Sequence, residues 1–313
     1  MRILSNPNFN FIRWRWHAVV LSLAVIATGA ATIYQRGGLP LGVDFSGGTL
    51  ILLKFEQPTG EEAVRQALAP VASEAVVQQS GTEGNEIMVR LPVEAGVEQG
   101  AKLEEAAIRV MDAITAANVG TIVDSSKDIV GPVIGEDLKR KGILATVTAL
   151  GGILVYIGLR FRFSFAAGAI VATFHDILVT LAMLTWFGYD ISLNVVAAIL
   201  TIAGYSVNDT IVVFDRVREN QRHVRREPLE QVVNRSVNQT LARTIITAGT
   251  TFLAVFALYL YGGEVLRGMA FTLLVGIVTG TYSTVFIAAA IAIILSPRPP
   301  GQVTQAQARA ARA

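Results

Sequence analysis

Long apolar runs, separated by shorter polar segments, dominate the hydropathy pattern of this chain. Six of them contain no Lys or Arg, and they cover residues 18–34, 142–159, 165–187, 191–214, 244–261 and 269–295. A hydrocarbon core about 30 Å thick is crossed by about 20 helical residues, so each run predicts one membrane-spanning helix. Helices satisfy every backbone polar group within a single segment, which isolated strands do not. The pattern therefore predicts an α-helical polytopic membrane protein with six transmembrane helices.

Between the first two runs, the pattern changes to that of a small water-soluble domain. Alternating or β-branched segments predict strands, and residues spaced three or four apart predict helices. The predicted order is β-α-β-β-α-β, with segments at 49–55, 61–69, 75–79, 86–91, 97–117 and 121–130. This order is typical of a ferredoxin-like α+β fold, which serves many functions and so predicts no activity. The domain is interpreted either as a module that contacts a substrate or partner, or as a structural spacer.

Composition excludes several classes of protein. The chain is 52% hydrophobic and 16% charged, with a mean hydropathy of +0.51. A soluble domain carries about 25% charged residues, so this is not an ordinary soluble protein. Because the sequence has no Cys, a disulfide framework, a Cys-based zinc site and a thiol nucleophile are excluded.

Basic residues predict how the chain is oriented. The segments on one side of the six runs carry 15 Lys and Arg against four acids. The positive-inside rule therefore predicts that both termini are cytoplasmic. The predicted organisation is a cytoplasmic N-terminus at 1–17, a retained anchor at 18–34, a periplasmic domain at 35–141, a five-helix transmembrane bundle at 142–295 and a disordered cytoplasmic tail at 296–313. Within the bundle, residues 215–243 are predicted to form a basic cytoplasmic loop whose arginines attract anionic lipid headgroups, with an interfacial helix at 228–241.

Asp209 is the most informative residue inside the apolar runs. A carboxylate at the centre of a span costs at least about 2.5–3.5 kcal/mol on insertion scales, and such acids commonly mark ion or proton paths. Tyr205 and Ser206 precede Asp209 by four and three residues, and Asn208 adjoins it, so its helix face is polar. Arg243 begins the next span in the same leaflet. The two charges predict either a switchable pair for proton passage or a fixed ion pair between helices.

His175 and Asp176 are the other ionisable residues within a run. Neighbours in a helix point about 100° apart, so these two need not share a partner. They are interpreted either as polar helix contacts or as supporting groups for hydration or proton relay. In the last run, Gly276 and Gly280 belong to a stripe of small residues that predicts close helix packing.

Four motifs are similar to those of a known family. They are Gly-Val-Asp-Phe-Ser-Gly-Gly at 42–48, Val-Gly-Pro-Val-Ile-Gly at 130–135, His-Asp at 175–176, and the segments 204–220 and 238–244 that contain Asp209 and Arg243. The chain resembles the SecD/SecF family of bacterial protein-export membrane proteins, a branch of the resistance–nodulation–division (RND) transporters, and within it the smaller-subunit type. In the first motif, we interpret Gly42, Asp44, Phe45, Gly47 and Gly48 as structural, since Gly47 and Gly48 can adopt positive φ without steric cost.

The resemblance implies a non-enzymatic subunit that uses the proton motive force, together with SecD, to promote late translocation and release of secreted polypeptides. It assigns the proton path to Asp209 and Arg243, places the protein in the cell inner membrane, and implies the SecYEG translocon, an unfolded polypeptide and membrane lipid as partners, with YajC and YidC as further candidates. No nucleic acid, cofactor, metal or catalytic residue is expected. The coupling ion is expected to be H⁺, with Na⁺ left open.

Three alternatives belong to other classes of function. The first alternative is a structural scaffold subunit. The second is a component of an RND-type small-molecule exporter, although such exporters usually carry two larger exported loops. The remote alternative is an intramembrane aspartyl protease that uses Asp176 and Asp209 as a dyad. Gly-Tyr-Ser-Val-Asn precedes Asp209 in place of the Gly-x-Gly of those proteases, which argues against it.

Overall fold

A computed structural model describes residues 7–80, 84–92, 100–223 and 227–296. The first membrane helix, α1, covers Arg15–Gln35 after a short 3₁₀ turn. The small domain follows, and its elements are α2 (Val43–Ser46), β1 (Gly48–Phe55), α3 (Glu61–Leu68), β2 (Val76–Ser80), β3 (Glu86–Leu91), α4 (Gly100–Ala116) and β4 (Ile122–Val130). The predicted disorder of the tail after Ser296 concerns residues outside the described part of the chain.

The small domain is one four-stranded antiparallel sheet covered on one face by two helices. Its strand order is β2-β3-β1-β4, which is the ferredoxin-like topology. Alternate residues of β1, Ile51, Leu53 and Phe55, are buried against α3 and α4. Burying each such side chain contributes about 1.5–3 kcal/mol. The predicted α+β fold is confirmed.

Five further helical segments complete the bundle. They are α5 (Pro132–Arg160), α6 (Phe163–Trp186), α7 (Leu193–His223), α8 (Leu229–Tyr261), and a last span formed by α9 (Glu264–Ser283), a π-helical turn (Thr284–Ala288) and α10 (Ala289–Leu295). Within the described residues, six helices are long and apolar enough to cross a membrane. The prediction of six transmembrane helices is therefore confirmed.

Helix α5 begins earlier than the apolar run that predicts it. Pro132 occupies the first turn, where its missing N–H costs no hydrogen bond, and the helix runs into the apolar part from there. The charged start is supported by ion pairs such as that between Lys141 and Asp137, 2.7 Å apart. The predicted domain boundary at 141 therefore falls inside a continuous helix, because hydropathy marks the membrane and not the helix end.

Residues 215–243 are not a loop, which corrects the prediction. Helix α7 continues to His223 and α8 begins at Leu229, so most of this segment is helical. The predicted interfacial helix is the first part of α8, and its apolar residues Val232, Val233 and Val237 are buried in the protein. They pack in a cluster with residues of α6 and α7 instead of facing lipid.

The middle of the bundle is formed by α6, α7 and the last span. Gly276 faces α7 so closely that an added Cβ would overlap Ile202, and at Gly280 a Cβ would lie 3.1 Å from Ser206 Cβ. Helices α1, α5 and α8 surround this centre and expose apolar side chains such as Val20, Leu144 and Leu253. Such side chains are suited to contact with lipid.

The end of the bundle where α8 begins holds the segment that precedes α1 in place. At the end where α8 begins, the N–H of Phe9 donates to Asn238 Oδ1 (2.9 Å), and Asn238 Nδ2 donates to the carbonyl of Phe9 (2.9 Å). Asn234 makes a similar contact with the N–H of Phe11 (2.9 Å). We call this end the arginine-rich end, since Arg160, Arg162, Arg216, Arg218, Arg222 and Arg235 lie there; the opposite end, which carries the small domain, is the sheet end.

Candidate functional site: a buried polar network in the bundle

Asp176 is the most buried charged residue of the bundle. Its side chain on α6 is 0% exposed. Oδ2 accepts hydrogen bonds from Ser206 Oγ on α7 (2.5 Å) and from Ser283 Oγ on α9 (2.8 Å). Oδ1 lies 3.0 Å from His175 Nδ1. Hydrogen bonds from three sides are the arrangement that makes burial of a carboxylate tolerable.

His175 extends this network to the first helix. Its Nε2 lies 2.8 Å from Ser22 Oγ on α1, and Ser22 in turn lies 3.2 Å from the hydroxyl of Tyr282. Tyr282 donates to the carbonyl of Ala18 (2.7 Å) and stacks on the imidazole. His175 and Asp176 contact each other, but their other partners differ: Ser22 for His175, and Ser206 and Ser283 for Asp176. Together the two residues join α1, α6, α7 and α9.

Asp209 has a different environment from Asp176. It lies on α7, one turn after Ser206. Its Oδ1 accepts a hydrogen bond from Thr244 Oγ1 on α8 (2.8 Å). Its Oδ2 is buried and has no hydrogen-bond partner among the described residues. Next to it, the hydroxyls of Thr210 and Thr284 are 2.8 Å apart. Asp209 is half-buried, so this carboxylate is less enclosed and less completely bonded than Asp176.

Arg243 does not form an ion pair with Asp209 within 4 Å, although both belong to the described part of the chain. The guanidinium is exposed, while Thr244, the next residue, makes the contact with Asp209. Arg243 still interacts electrostatically with the carboxylate. The structure thus brings the predicted pair to the same level of the bundle without closing a salt bridge.

One of the polar residues predicted on the face of Asp209 contacts the other acid: Ser206 donates to Asp176. Tyr205 is half-buried, and Asn208 is exposed on α7. Their supporting role stays a prediction.

Sequence reasoning missed several hydroxyl groups of the network. They are Ser22, Thr210, Thr244, Tyr282 and Ser283. A usable signal was present, since Ser283 and Thr284 are adjacent polar residues in an apolar run. The missed feature with no sequence signal is the π-helical turn that starts at Thr284, immediately after Ser283. Such turns are frequent at functional sites because they redirect the side chains on either side.

In the part of the chain that the structure describes, no hydrogen bond joins the carboxylates of Asp176 and Asp209. Asp176 accepts from the hydroxyls of Ser206 and Ser283, and Asp209 accepts from that of Thr244. An aspartyl dyad requires two carboxyl groups that share one proton. Among the described residues, no group of three or more His, Asp or Glu side chains is arranged to hold a metal ion.

The glycine motif at 42–48 joins the small domain to α7. Asp44 Oδ2 accepts a hydrogen bond from the N–H of Leu193 (2.8 Å), the first residue of α7. Phe45 is buried in a cluster with residues of α6 and α7. Gly47 and Gly48 have φ of 70° and 119°, which favour glycine. Asp44 therefore caps the helix that carries Asp209.

A second contact ties the sheet to the bundle. The guanidinium of Arg90 on β3 forms an ion pair with Asp190, in the connection between α6 and α7. Both side chains are 19% exposed. Burial lowers the pKa of the Arg90 guanidinium from its ordinary value, because desolvation disfavours the charged form. Beside it, Gly42 N–H donates to the carbonyl of Ile191 (2.9 Å).

The bundle, the two enclosed acids and the single appended α+β domain define a multi-pass membrane transport protein. Family models agree with this class: the model described as protein export membrane protein SecD/SecF, C-terminal, matches residues 110–298, and the SecD/SecF GG motif matches residues 37–59. The chain belongs to the SecD/SecF family of protein-export membrane proteins.

Relatives with the name protein translocase subunit SecF match over nearly the whole chain. The one from Rhodothermus marinus is 42% identical, covering 99% of this chain and 100% of the relative. The one from Pseudomonas aeruginosa is 43% identical, covering 94% and 92%. The crystal structure of SecDF from Thermus thermophilus, described as a translocon-associated membrane protein, matches with 36% identity and a TM-score of 0.81, covering 94% of this chain. The chain spans 39% of that longer chain.

Proposed function

We propose that this chain is the smaller subunit of a two-part export complex that uses the proton motive force to promote late translocation and release of secreted polypeptides. Relatives of similar length that carry the name protein translocase subunit SecF support this role. The chain corresponds to about two-fifths of SecDF, since it covers 39% and 41% of two such chains. The remaining part of SecDF supports a SecD subunit as the partner.

The proposed setting is the bacterial inner membrane, with the arginine-rich end in the cytoplasm. The excess of basic residues at that end supports this orientation. The small domain is then periplasmic, where it meets the emerging polypeptide. SecYEG is the proposed translocon partner, and YajC and YidC are proposed as further members of the assembly.

Asp209 is the proposed proton acceptor, and its unbonded carboxylate oxygen is the observation that carries the proposal. Thr244 occupies one oxygen, while Oδ2 has no hydrogen-bond partner among the described residues. A proton can therefore be taken up without first breaking a hydrogen bond. Asp176 lacks such an oxygen, because both of its oxygens have partners. Asp176 and His175 are assigned a supporting role, in holding the helices around the proton path.

Protonation changes the contact between α7 and α8. A neutral Asp209 no longer attracts Arg243, and its hydrogen bond from Thr244 weakens because charge-assisted bonds are about twice as strong as neutral ones. The first turn of α7 is bonded to Asp44 of the small domain, so displacement of α7 is transmitted to the sheet. One charge moved through 100 mV releases about 2.3 kcal/mol, enough to shift an equilibrium of a few kcal/mol.

The test compares export with and without a proton gradient. Asp209→Asn and Arg243→Ala are each introduced into the complex with SecD, and export of a secreted protein is followed at saturating ATP. We expect each variant with a gradient to behave as the parent does without one. Asp215→Asn, six residues further along α7 at the arginine-rich end, is the matched control and should keep the gradient's benefit.

Two outcomes would contradict the proposal. If Asp209→Asn retains the gradient's benefit, Asp209 is structural and the chain acts as a scaffold. The second outcome concerns the coupling ion. If the parent keeps its export activity when the proton gradient is collapsed but loses it when Na⁺ is removed, sodium is the coupling ion.

A further inference from the structure

A cavity at the arginine-rich end has the features of an anion site. It has a volume of about 610 Å³ and lies between the α5–α6 connection and the last turns of α7. Four guanidinium groups line it, those of Arg160, Arg162, Arg218 and Arg222. Arg160 is the last residue of α5, Arg162 lies in the connection, and the other two belong to α7, so the cavity depends on the tertiary fold.

Three of these four arginines have no acidic partner among the described residues. Arg162, Arg218 and Arg222 are exposed and form no ion pair there. Residues 1–6, 224–226 and 297–313 contain no Asp or Glu.

The acids close to the cavity are already engaged. Asp215 binds Arg160 at 2.8 Å, and Glu219 binds Arg216 at 2.7 Å. The surplus of positive charge therefore belongs to Arg162, Arg218 and Arg222. Like charges held together repel one another unless an anion lies between them, and a phosphate is the anion whose geometry guanidinium groups match.

The floor of the cavity is aromatic and rigid. Phe165 and Phe214 pack edge to face with centroids 5.0 Å apart, and Phe161 packs on Phe214 in the same way at 6.1 Å. The guanidinium of Arg160 lies 5.2 Å from the centroid of the Phe161 ring. This packing fixes the position from which Arg160 and Arg162 face the cavity. The site is therefore formed by the fold and is not a chance cluster of mobile side chains.

The cavity adjoins the boundary of the apolar surface. Leu159, immediately before it in α5, is 85% exposed, and Phe163, at the start of α6, is 81% exposed. Apolar residues so exposed on membrane-spanning helices are suited to contact acyl chains. A ligand here has its anionic part in the cavity and its apolar part beside Leu159 and Phe163, which describes a phospholipid better than a soluble phosphate.

We propose that this arginine-lined cavity binds the phosphate of an anionic phospholipid headgroup at the arginine-rich end of the bundle. Basic pockets between membrane helices are known to take such headgroups. This inference does not depend on the proton path, since the residues that line the cavity are not hydrogen-bond partners of Asp209 or Asp176. A bound lipid would hold the α5–α6 connection against the end of α7.

Lipid retention by the intact protein tests the proposal. The full chain is purified in detergent, titrated with dioleoyl phosphatidylglycerol or dioleoyl phosphatidylcholine, and measured by native mass spectrometry. The test variant is Arg162→Gln, Arg218→Gln and Arg222→Gln together. The matched control removes three charges from the same end outside the cavity, Arg13→Gln, Arg15→Gln and Arg235→Gln, whose ion-pair partners do not line the cavity.

We expect the parent and the control to retain phosphatidylglycerol in preference to phosphatidylcholine, and the test variant to lose this preference. Each arginine near an anionic surface contributes roughly fivefold in affinity, so loss of all three should raise the dissociation constant about a hundredfold. If the test variant does not fold, the variant with Lys at the same three positions replaces it, and should lower the preference about threefold because Lys lacks the bidentate geometry.

Three results would overturn the proposal. Equal losses in test and control variants would show a general surface charge effect. An unchanged preference in the test variant would show that the lipid binds elsewhere. Displacement of phosphatidylglycerol by equimolar inorganic pyrophosphate would identify a soluble phosphate as the ligand.

Discussion

Asp176 and Asp209 are both acids in apolar helices, but their hydrogen bonds assign them different tasks. Asp176 has partners on both oxygens and connects α6, α7 and α9. Among the described residues, Asp209 accepts one hydrogen bond within normal distance, from Thr244, and its other oxygen has no such partner. The hydroxyl of Thr284 also interacts with this carboxylate. A saturated carboxylate stabilises a single arrangement, whereas an unsaturated one is able to accept a further group. Substitutions at Asp176 should therefore mainly lower stability, and substitutions at Asp209 should mainly impair proton coupling.

Replacing Asp176 by Ala should lower the free energy of unfolding by about 3–5 kcal/mol, because two serine hydroxyls and His175 lose their common partner in a buried site. Asp209→Ala removes one charge-assisted hydrogen bond and should cost less, about 1.5–3 kcal/mol. Reversible unfolding in mixed micelles with increasing SDS measures both. A larger loss for Asp209→Ala than for Asp176→Ala would contradict the assignment.

The sequence located the acids but not their partners. Asp176 and Asp209 stand out because ionisable residues are rare in apolar runs. Ser22 and Ser283 do not, since serine is common in membrane helices and a single sequence holds no information about which helices adjoin. The contact between His175 and Asp176 depends on side-chain rotamers, which helical periodicity does not specify.

At the scale of elements, close packing of α7 against α9 depends on the absence of a side chain at Gly276. Gly276→Ala should lower the free energy of unfolding by about 1–3 kcal/mol, since the added methyl group overlaps Ile202. Gly249→Ala on α8, where nothing lies within 4 Å, should be neutral or stabilising by up to about 1 kcal/mol. The same SDS titration compares them. Ile202→Ala should partly rescue Gly276→Ala, and its failure to do so would show that the overlap is not the cause.

Asp44 caps α7 from a different domain, so its removal should loosen the start of that helix. Loss of a capping side chain costs about 1 kcal/mol. We expect Asp44→Ala to raise amide hydrogen exchange at the first turn of α7 about fivefold. Asp124→Ala removes a local contact with Ser125 on β4 and serves as control. Unchanged exchange at Leu193 in Asp44→Ala would show that the cap contributes nothing.

Element boundaries were predicted well where polarity changes and poorly where it does not. The strand 86–91 was predicted with its observed bounds, because turn residues flank it. The parts of α7 and α8 at the arginine-rich end were predicted as a loop, because their charges exclude them from the bilayer but do not interrupt a helix. The π-helical turn at Thr284–Ala288 was not predicted, since its residues are ordinary helix and strand formers.

At the scale of the whole molecule, the ion pair between Arg90 and Asp190 should set the orientation of the small domain. Since the chain has no Cys, spin labels can be attached at Lys127→Cys on β4 and Tyr261→Cys at the end of α8. We expect Arg90→Asp to broaden the measured distance distribution, and the double variant Arg90→Asp with Asp190→Arg to narrow it again. Distributions that are alike in all three proteins would contradict a restraining role.

The placement of the small domain against the bundle could not be predicted from the sequence. Strand order followed from the alternation of elements, and the six spans from hydropathy. Contacts such as that between Asp44 and Leu193 join residues far apart in sequence, and the sequence around neither residue indicates that they meet. The glycine motif was interpreted as backbone geometry, and its link to α7 emerged only in three dimensions.

The pairing of the segment around Phe9 with Asn234 and Asn238 also constrains how this protein can be joined to others. Both asparagines donate to and accept from the backbone of this segment, so the segment is held against the side of α8 by four hydrogen bonds. An affinity tag or a subunit fused ahead of Phe9 is therefore attached next to α8. Fusion linkers should therefore be measured from that helix and not from the start of α1.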